Sequence, residues 1–188
     1  YSPERTQHVF VFSNDSRTTL SARLGASADF MGSASNSGVA GYFAGGGNGP
    51  PRSAVYKLTY STETTAQLAS GLAAAAEELA GMANSGVAAY FAGGQLSGGA
   101  PAVSSAVDKF AFPSDTRTTL GTGLNQGTWL LAGCANTGVA GYFGGGRDNS
   151  GNEDKVDKFA FPSDTRTTLG TGLDTARTSL GAMANEVV

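Results

Sequence analysis

One cysteine, one histidine and one tryptophan in 188 residues leave little material for the chemistry those side chains usually perform. With Cys134 alone, no disulfide forms within the chain and no cysteine knuckle holds a metal. Charge is scarce too: 14% of residues are charged, against about 25% in an average globular protein. The net charge of −3 comes without any Lys/Arg cluster. That excludes the basic footprint by which proteins bind nucleic acid. No apolar run approaches the roughly 20 residues of a membrane-spanning helix, so no such span is expected.

What is abundant is glycine, at 28 residues, but without the Gly-X-Y period of collagen. Hydrophobic residues make up 40% of the chain, enough for one domain with a core. The order in this composition is repetition. VDKFAFPSDTRTTLGTGL occurs at Val107–Leu124 and again, letter for letter, at Val156–Leu173. Val55-Tyr-Lys-Leu and His8-Val-Phe are looser copies of its start. Leu20, Leu68, Leu120 and Leu169 each lie sixteen residues before Asn36, Asn84, Asn136 and Asn185, which fixes periods of 48, 52 and 49 residues. After the first three asparagines comes Ser or Thr, then Gly-Val-Ala, then Gly or Ala, then Tyr-Phe and a glycine run. Four units follow, at about 1–36 (lacking the first strand), 37–84, 85–136 and 137–185.

Each unit reads as four short strands, giving an all-β domain. Gly-Val-Ala-Gly-Tyr-Phe is the first. Val-Asp-Lys-Phe-Ala-Phe is the second, with Val156, Lys158 and Ala160 facing one way and Asp157, Phe159 and Phe161 the other. It ends at Phe-Pro-Ser-Asp, where Pro162 presets a turn and Asp164 is expected to bond its own backbone. Arg-Thr-Thr-Leu is the third strand, and Ser-Leu-Gly-Ala-Met-Ala with its equivalents the fourth. Leu72–Leu79 has helical propensity, but its counterparts Leu124–Leu131 and Leu173–Leu180 are poor helix formers, so the register predicts strand there.

A unit of about 50 residues, four strands and a Gly-Gly after an aromatic strand resembles the kelch repeat, over nearly the whole chain. The tryptophan that kelch repeats place after the turn is replaced near Leu120 and Leu169, and Arg177 is the one stand-in for the arginine before the fourth strand. The GYFGGG and KFAFPSDT variant is also similar to uncharacterised repeat proteins with no established activity. The resemblance implies a β-propeller of four-stranded antiparallel blades, with a parallel solenoid as the alternative. In that frame Tyr42, Tyr90 and Tyr142, with Phe43, Phe91 and Phe143, are wedges between blades. The last strand is cut short at Glu186–Val188, which predicts either that the chain is a portion of a longer one or that a neighbouring molecule completes the ring.

Chemistry-bearing residues are few. His8 lies in a strand and reads as structural, and no Gly-x-Ser-x-Gly elbow accompanies it. Cys134 occupies the position of Ala34, Met82 and Met183, that of a small core residue. Asp148, Ser150, Asn152 and Asp154 alternate as oxygen donors do in calcium loops, but the glycine is misplaced and no later Glu completes the set. They are a weak calcium candidate beside the expectation of no metal. Gly45–Gly47 and Gly144–Gly146 lack a following Gly-Lys-Ser/Thr and read as turn glycines. Asp15, Asp115 and Asp164 precede Arg17, Arg117 and Arg166 by two, which predicts an Asp-stabilised turn with the arginine paired across the hairpin.

The function expected is therefore not enzymatic and needs no cofactor. Near-identical faces repeated on one scaffold suit assembly or adhesion with a protein partner or with further copies, because multivalency raises avidity without new contacts. An extracellular setting fits that use. Specificity would sit in the variable segments 47–53, 95–105 and 147–155, on Asn48, Arg52, Gln95, Arg147, Asp148 and Asn152. A carbohydrate-binding propeller is the alternative, with glycan as ligand.

Overall fold

The computed structural model describes residues 6–11, 14–25, 28–97 and 102–184; Asn185 and Glu186–Val188 lie outside the described residues. Every regular element among them is a strand. The first two, β1 (Thr6–Val11) and β2 (Ser16–Arg23), form a hairpin. Three four-stranded antiparallel sheets follow. The first holds β3 (Gly32–Asn36), β4 (Ala40–Ala44), β5 (Val55–Thr59) and β6 (Thr64–Gln67). The short strands β7 (Ala76–Glu77) and β10 (Gln95–Leu96) pair with each other. The second sheet holds β8 (Ala80–Asn84), β9 (Ala88–Ala92), β11 (Val107–Ala111) and β12 (Thr116–Thr119). The third holds β13 (Ala132–Asn136), β14 (Ala140–Gly144), β15 (Val156–Ala160) and β16 (Thr165–Thr168).

The strands agree with the sequence periodicity, but their grouping differs from the expected units. The Gly-Ala-Met-Ala-Asn strand pairs with the Gly-Tyr-Phe strand that follows it, Met82 opposite Tyr90 and Cys134 opposite Tyr142. Each sheet therefore takes its first strand from the end of the preceding unit. The cause is local: a tight turn closes the two strands, Val87 N–H donating to Asn84 O at 2.9 Å, with Gly86 at φ +77°. Leu72–Leu79 is also corrected. It is irregular apart from Ala76–Glu77, as are Leu124–Leu131 and Leu173–Leu180 among its counterparts. The register rightly overrode helical propensity, but the segment is a loop that presents its two leucines to the core.

That core lies between sheets. One cluster joins Ala40, Tyr42 and Val55 of the first sheet, Leu72 and Leu79 of the loop, and Phe91 and Phe110 of the second sheet. The other joins Tyr90 and Val107 of the second sheet, Leu124 and Leu131, and Phe143 and Phe159 of the third. So one face of each sheet carries tyrosine and valine, and in the second and third sheets the opposite face carries two phenylalanines edge to face, 5.9 Å apart in both cases. The alternation expected for Val156–Phe161 holds, with Asp157 and Phe159 buried on a common face. The first strands of the sheets stack side by side, β8 touching both β3 and β13.

Candidate functional site

The molecule's repeated feature is the junction between consecutive sheets, and it is built from few residues. Tyr42 and Lys57 lie directly opposite on β4 and β5, as do Tyr90 and Lys109 on β9 and β11. The ammonium sits over its tyrosine ring, 5.5 and 5.4 Å from the centroid. The aspartate of the Phe-Pro-Ser-Asp turn in the next sheet reaches this pair. Asp115 accepts from Tyr42 Oη at 2.8 Å and from Lys57 Nζ at 2.8 Å. Asp164 accepts from Tyr90 Oη at 2.8 Å and from Lys109 Nζ at 2.6 Å. Phe112 stacks on Tyr42 and Phe161 leans on Tyr90, closing the apolar side. Burial, then the hydrogen bond and negative charge of Asp115, push the Tyr42 phenol well above its ordinary pKa. Burial and Asp164 do the same to Tyr90.

These contacts revise the Asp–Arg expectation. Asp115 and Asp164 do hold the positive-φ turn position, at +56° and +55°, but their carboxylates serve the neighbouring sheet and not their own backbone. The arginines pair across the hairpin with a different acid, Arg117 with Asp108 at 3.3 Å and Arg166 with Asp157 at 3.4 Å. Asp108 and Asp157 are buried, and each also accepts from a threonine, Thr119 or Thr168, at 2.5 Å. Their second oxygens accept the backbone N–H of Ala73 and Asn125 in the loop from the preceding sheet, both at 2.7 Å. The one histidine stands at the equivalent position of the first hairpin, its Nδ1 3.1 Å from Thr19 Oγ1. His8 thus replaces an aspartate in a hairpin contact.

A third contact set uses the asparagines that mark the period. Asn36 Oδ1 accepts Gly86 N–H at 2.9 Å and Asn84 Oδ1 accepts Gly138 N–H at 2.8 Å, tying turn to turn along the stack. The glycine runs make the fourth. Gly46, Gly94 and Gly146 donate N–H to Ala76, Thr128 and Arg177 carbonyls at 2.8–2.9 Å. A Cβ on Gly45 or Gly93 would collide with the carbonyl oxygen of Ala76 or Thr128. Both glycines have positive φ as well. Gly144 still belongs to β14, whereas Gly45, Gly46, Gly145 and Gly146 stand just past their strands, where a second loop approaches closely.

The variable segments leave the sheets at the edge where these glycines lie. Gln95 and Arg147 are equivalent residues: Gln95 pairs with Glu77, and Arg147 bridges Trp129 and Asn152. The Arg147 guanidinium sits 5.9 Å from the Trp129 ring centroid. Arg52 is half-buried and bridges Ala76, whereas Asn48 is exposed. Asp148 spends one oxygen on its own loop, accepting Ser150 N–H at 2.6 Å and Gly151 N–H at 3.0 Å. Its other oxygen accepts from Gln126 Nε2 at 3.3 Å. The calcium candidate therefore has its first carboxylate engaged by a turn, Asp154 and Ser150 are exposed, and among the described residues no three His, Cys, Asp or Glu side chains come together. Residues 98–101 of the middle segment lie outside the described residues.

The first strands enclose an open cavity of about 480 Å³, lined by residues 33–35, 81–83, 133–135 and 182–184 with Gly41, Phe43 and Tyr60. Its lining has no charged side chain; serines, alanines, glycines, methionines, Cys134, Phe43 and Tyr60 make the wall. Cys134 is half-buried, and burial pushes its thiol pKa up, away from thiolate reactivity. Among the described residues no helix is long and apolar enough to cross a membrane. The chain matches no known family model, and no curated protein matches it.

The variable-loop residues, the calcium candidate and the two lone reactive side chains are all visible in the sequence. The tyrosine–lysine–aspartate junction is not. Its signal is present, because Tyr, Lys and the turn Asp recur at fixed spacing; what the spacing withholds is that they meet across sheets.

Proposed function

We propose that the chain is a non-catalytic, kelch-like propeller scaffold, serving assembly or adhesion through repeated faces and variable loops. The observation that supports it is the use of one junction twice, with the same four contact types, so that the segments at 47–53, 95–97 with 102–105, and 147–155 leave from one edge. Rigid sheets presenting variable loops side by side are suited to multivalent engagement. A protein partner or further copies of the chain are the natural occupants, and extracellular surfaces or filaments are the setting that low charge and repetition favour. Near this edge Lys155 Nζ lies 3.3 Å from Glu153 Oε2 and 2.5 Å from Gln126 Oε1. That arrangement supports a recognition surface in preference to a proton-transfer site.

The test is exchange of the 147–155 segment for the shorter 47–53 segment, alone and with Arg52→Ala. Loss of surface adhesion or of particle formation by light scattering and electron microscopy, with melting unchanged, is expected. Wild-type protein that neither associates nor adheres, or loop variants that behave like wild type, would overturn the reading. A glycan-binding reading has one observation in its favour: Trp129 stands beside Arg147, which in turn bridges Asn152. It predicts a thermal shift with sugars that Trp129→Ala abolishes, and blank glycan arrays count against it.

A further inference from the structure

The junction found twice inside the molecule has its two halves exposed once more, on different elements. One half is the outer face of the third sheet. Tyr142 and Lys158 lie directly opposite on β14 and β15, in the register of Tyr42–Lys57 and Tyr90–Lys109. Tyr42 and Tyr90 are each 1% exposed, whereas Tyr142 is half-buried and opens on a largely apolar cavity of about 280 Å³ with Val156, Leu173 and Leu180. Leu173 and Leu180 correspond to the pairs Leu72/Leu79 and Leu124/Leu131, which flank Phe110 and Phe159 in the filled junctions.

The other half is the first hairpin. β1–β2 pairs in the register of β11–β12 and β15–β16, with Phe10 opposite Arg17 as Phe110 is opposite Arg117 and Phe159 opposite Arg166. Asp15 has φ +52°, the turn conformation of Asp115 and Asp164. Yet Phe10 is 60% exposed where Phe110 and Phe159 are 0%, and Asp15 is exposed. The hairpin is anchored by its other face to the first sheet, through Gln7 Oε1 accepting from Thr65 Oγ1 at 2.7 Å. So a phenylalanine and an aspartate are presented outward in the geometry that fits a tyrosine–lysine pair, and that pair stands open at the far end of the stack.

We infer that a second copy of this chain docks its first hairpin on the third sheet, Phe10 entering the cavity beside Tyr142 and Asp15 bridging Tyr142 and Lys158. The occupant is specified by charge and shape together: a carboxylate for the ammonium and phenol, an aromatic ring for the cavity between two leucines. The contact is heterologous, so it propagates head to tail and leaves one free hairpin and one free sheet at the ends. This deepens the assembly reading above by naming the partner and the surface.

The test is the mass of the intact chain by sedimentation velocity and light scattering across a concentration series. Wild type is expected to grow from 18.9 kDa in whole multiples as concentration rises. Asp15→Ala and Lys158→Ala should each weaken association about tenfold or more and run as monomers at the concentrations where wild type associates. Mixed in equal amounts, the two variants should form dimers that do not extend, because one supplies an intact hairpin and the other an intact sheet. That rescue also shows that both variants are folded. Wild type that stays monomeric overturns the inference, as do variants that associate like wild type. A monomer in which both substitutions lower the melting temperature with coupled effects means closure within one chain, and also overturns it. If loop exchange abolishes assembly while Asp15→Ala does not, the scaffold reading stands and this interface falls.

Discussion

From His8 to Val11 hairpin β1–β2 pairs in the register of hairpin β11–β12, yet Phe10 is 60% exposed and Phe110 is 0% exposed. The positive φ of the turn aspartate and the cross-strand pairing are alike in the two. What differs is the neighbour. Phe110 faces Tyr42, Val55 and the Leu72/Leu79 loop of the preceding sheet, while Phe10 faces no described residue of that kind. In this fold a strand defines a local shape, and burial belongs to the junction. Each sheet is half a core.

That comparison breaks most visibly at the phenylalanines. Phe110→Ala should cost about 3–5 kcal/mol, the range for emptying a well-packed aromatic site. Phe10→Ala should stay within about 0.5 kcal/mol in dilute protein. Urea denaturation of the two variants checks both; equal costs would mean that Phe10 is buried in solution. The glycines come next. Gly138, at φ +77° with open space where a Cβ would stand, isolates the backbone penalty, and Gly138→Ala should cost about 1 kcal/mol. Gly93→Ala adds a clash with the Thr128 carbonyl, raising the total to about 3 kcal/mol. Thermal melts of the pair measure the value of close approach by difference.

The polar junction is expected to matter less. Asp164→Ala strands the buried Tyr90 hydroxyl and the Lys109 ammonium and should cost about 1–3 kcal/mol. Asp15→Ala should be neutral within about 0.5 kcal/mol in the monomer. Smaller again is the asparagine ladder. Asn84 is 3% exposed and holds Gly138 N–H, so Asn84→Ala should cost about 1 kcal/mol. Asn136 is exposed, and its substitution should be silent. A measurable cost at Asn136 would show that the third sheet has a partner in solution, which sharpens the comparison rather than merely testing it.

Much of the fold is legible in the amino-acid sequence, for a physical reason. Exact repetition fixes the register, and register predicts which strands exist and which residues alternate along them. The two copies of VDKFAFPSDT fold identically, with Asp and Phe on one face. Repetition is silent about phase and partner. It does not say that Ala80–Asn84 joins the sheet after it, because a repeat has no natural first strand. Nor does it say that Asp115 reaches Tyr42, 73 positions earlier, since spacing within a unit is the same whether a side chain turns inward or to its neighbour. The leucine loops resist reading as loops because irregular backbone has no period; only the shared spacing of Leu72 and Leu79 with their counterparts hints at their common packing. His8 reads as structural from the sequence, but the reason, replacement of Asp108 in a hairpin contact, needs the register of β1–β2 to see.

The smallest effect near neutral pH comes from the tyrosines themselves. The Tyr42 and Tyr90 phenols are held protonated in the folded state, first by burial and then by the aspartates beside them. In the unfolded chain they ionise near the ordinary value of about 10. Below that pH both states carry the proton, and the stabilisation is fully present. Above it the unfolded state loses protons that the folded state keeps, so stability falls as pH rises towards the raised folded values. The comparison that isolates the two phenols is wild type against a Tyr42→Phe, Tyr90→Phe double variant. The double variant should start less stable at about pH 8, having lost two hydrogen bonds, and should lose stability less steeply above about pH 10. Parallel slopes by urea denaturation would mean that the two phenols are not held at the junctions in solution.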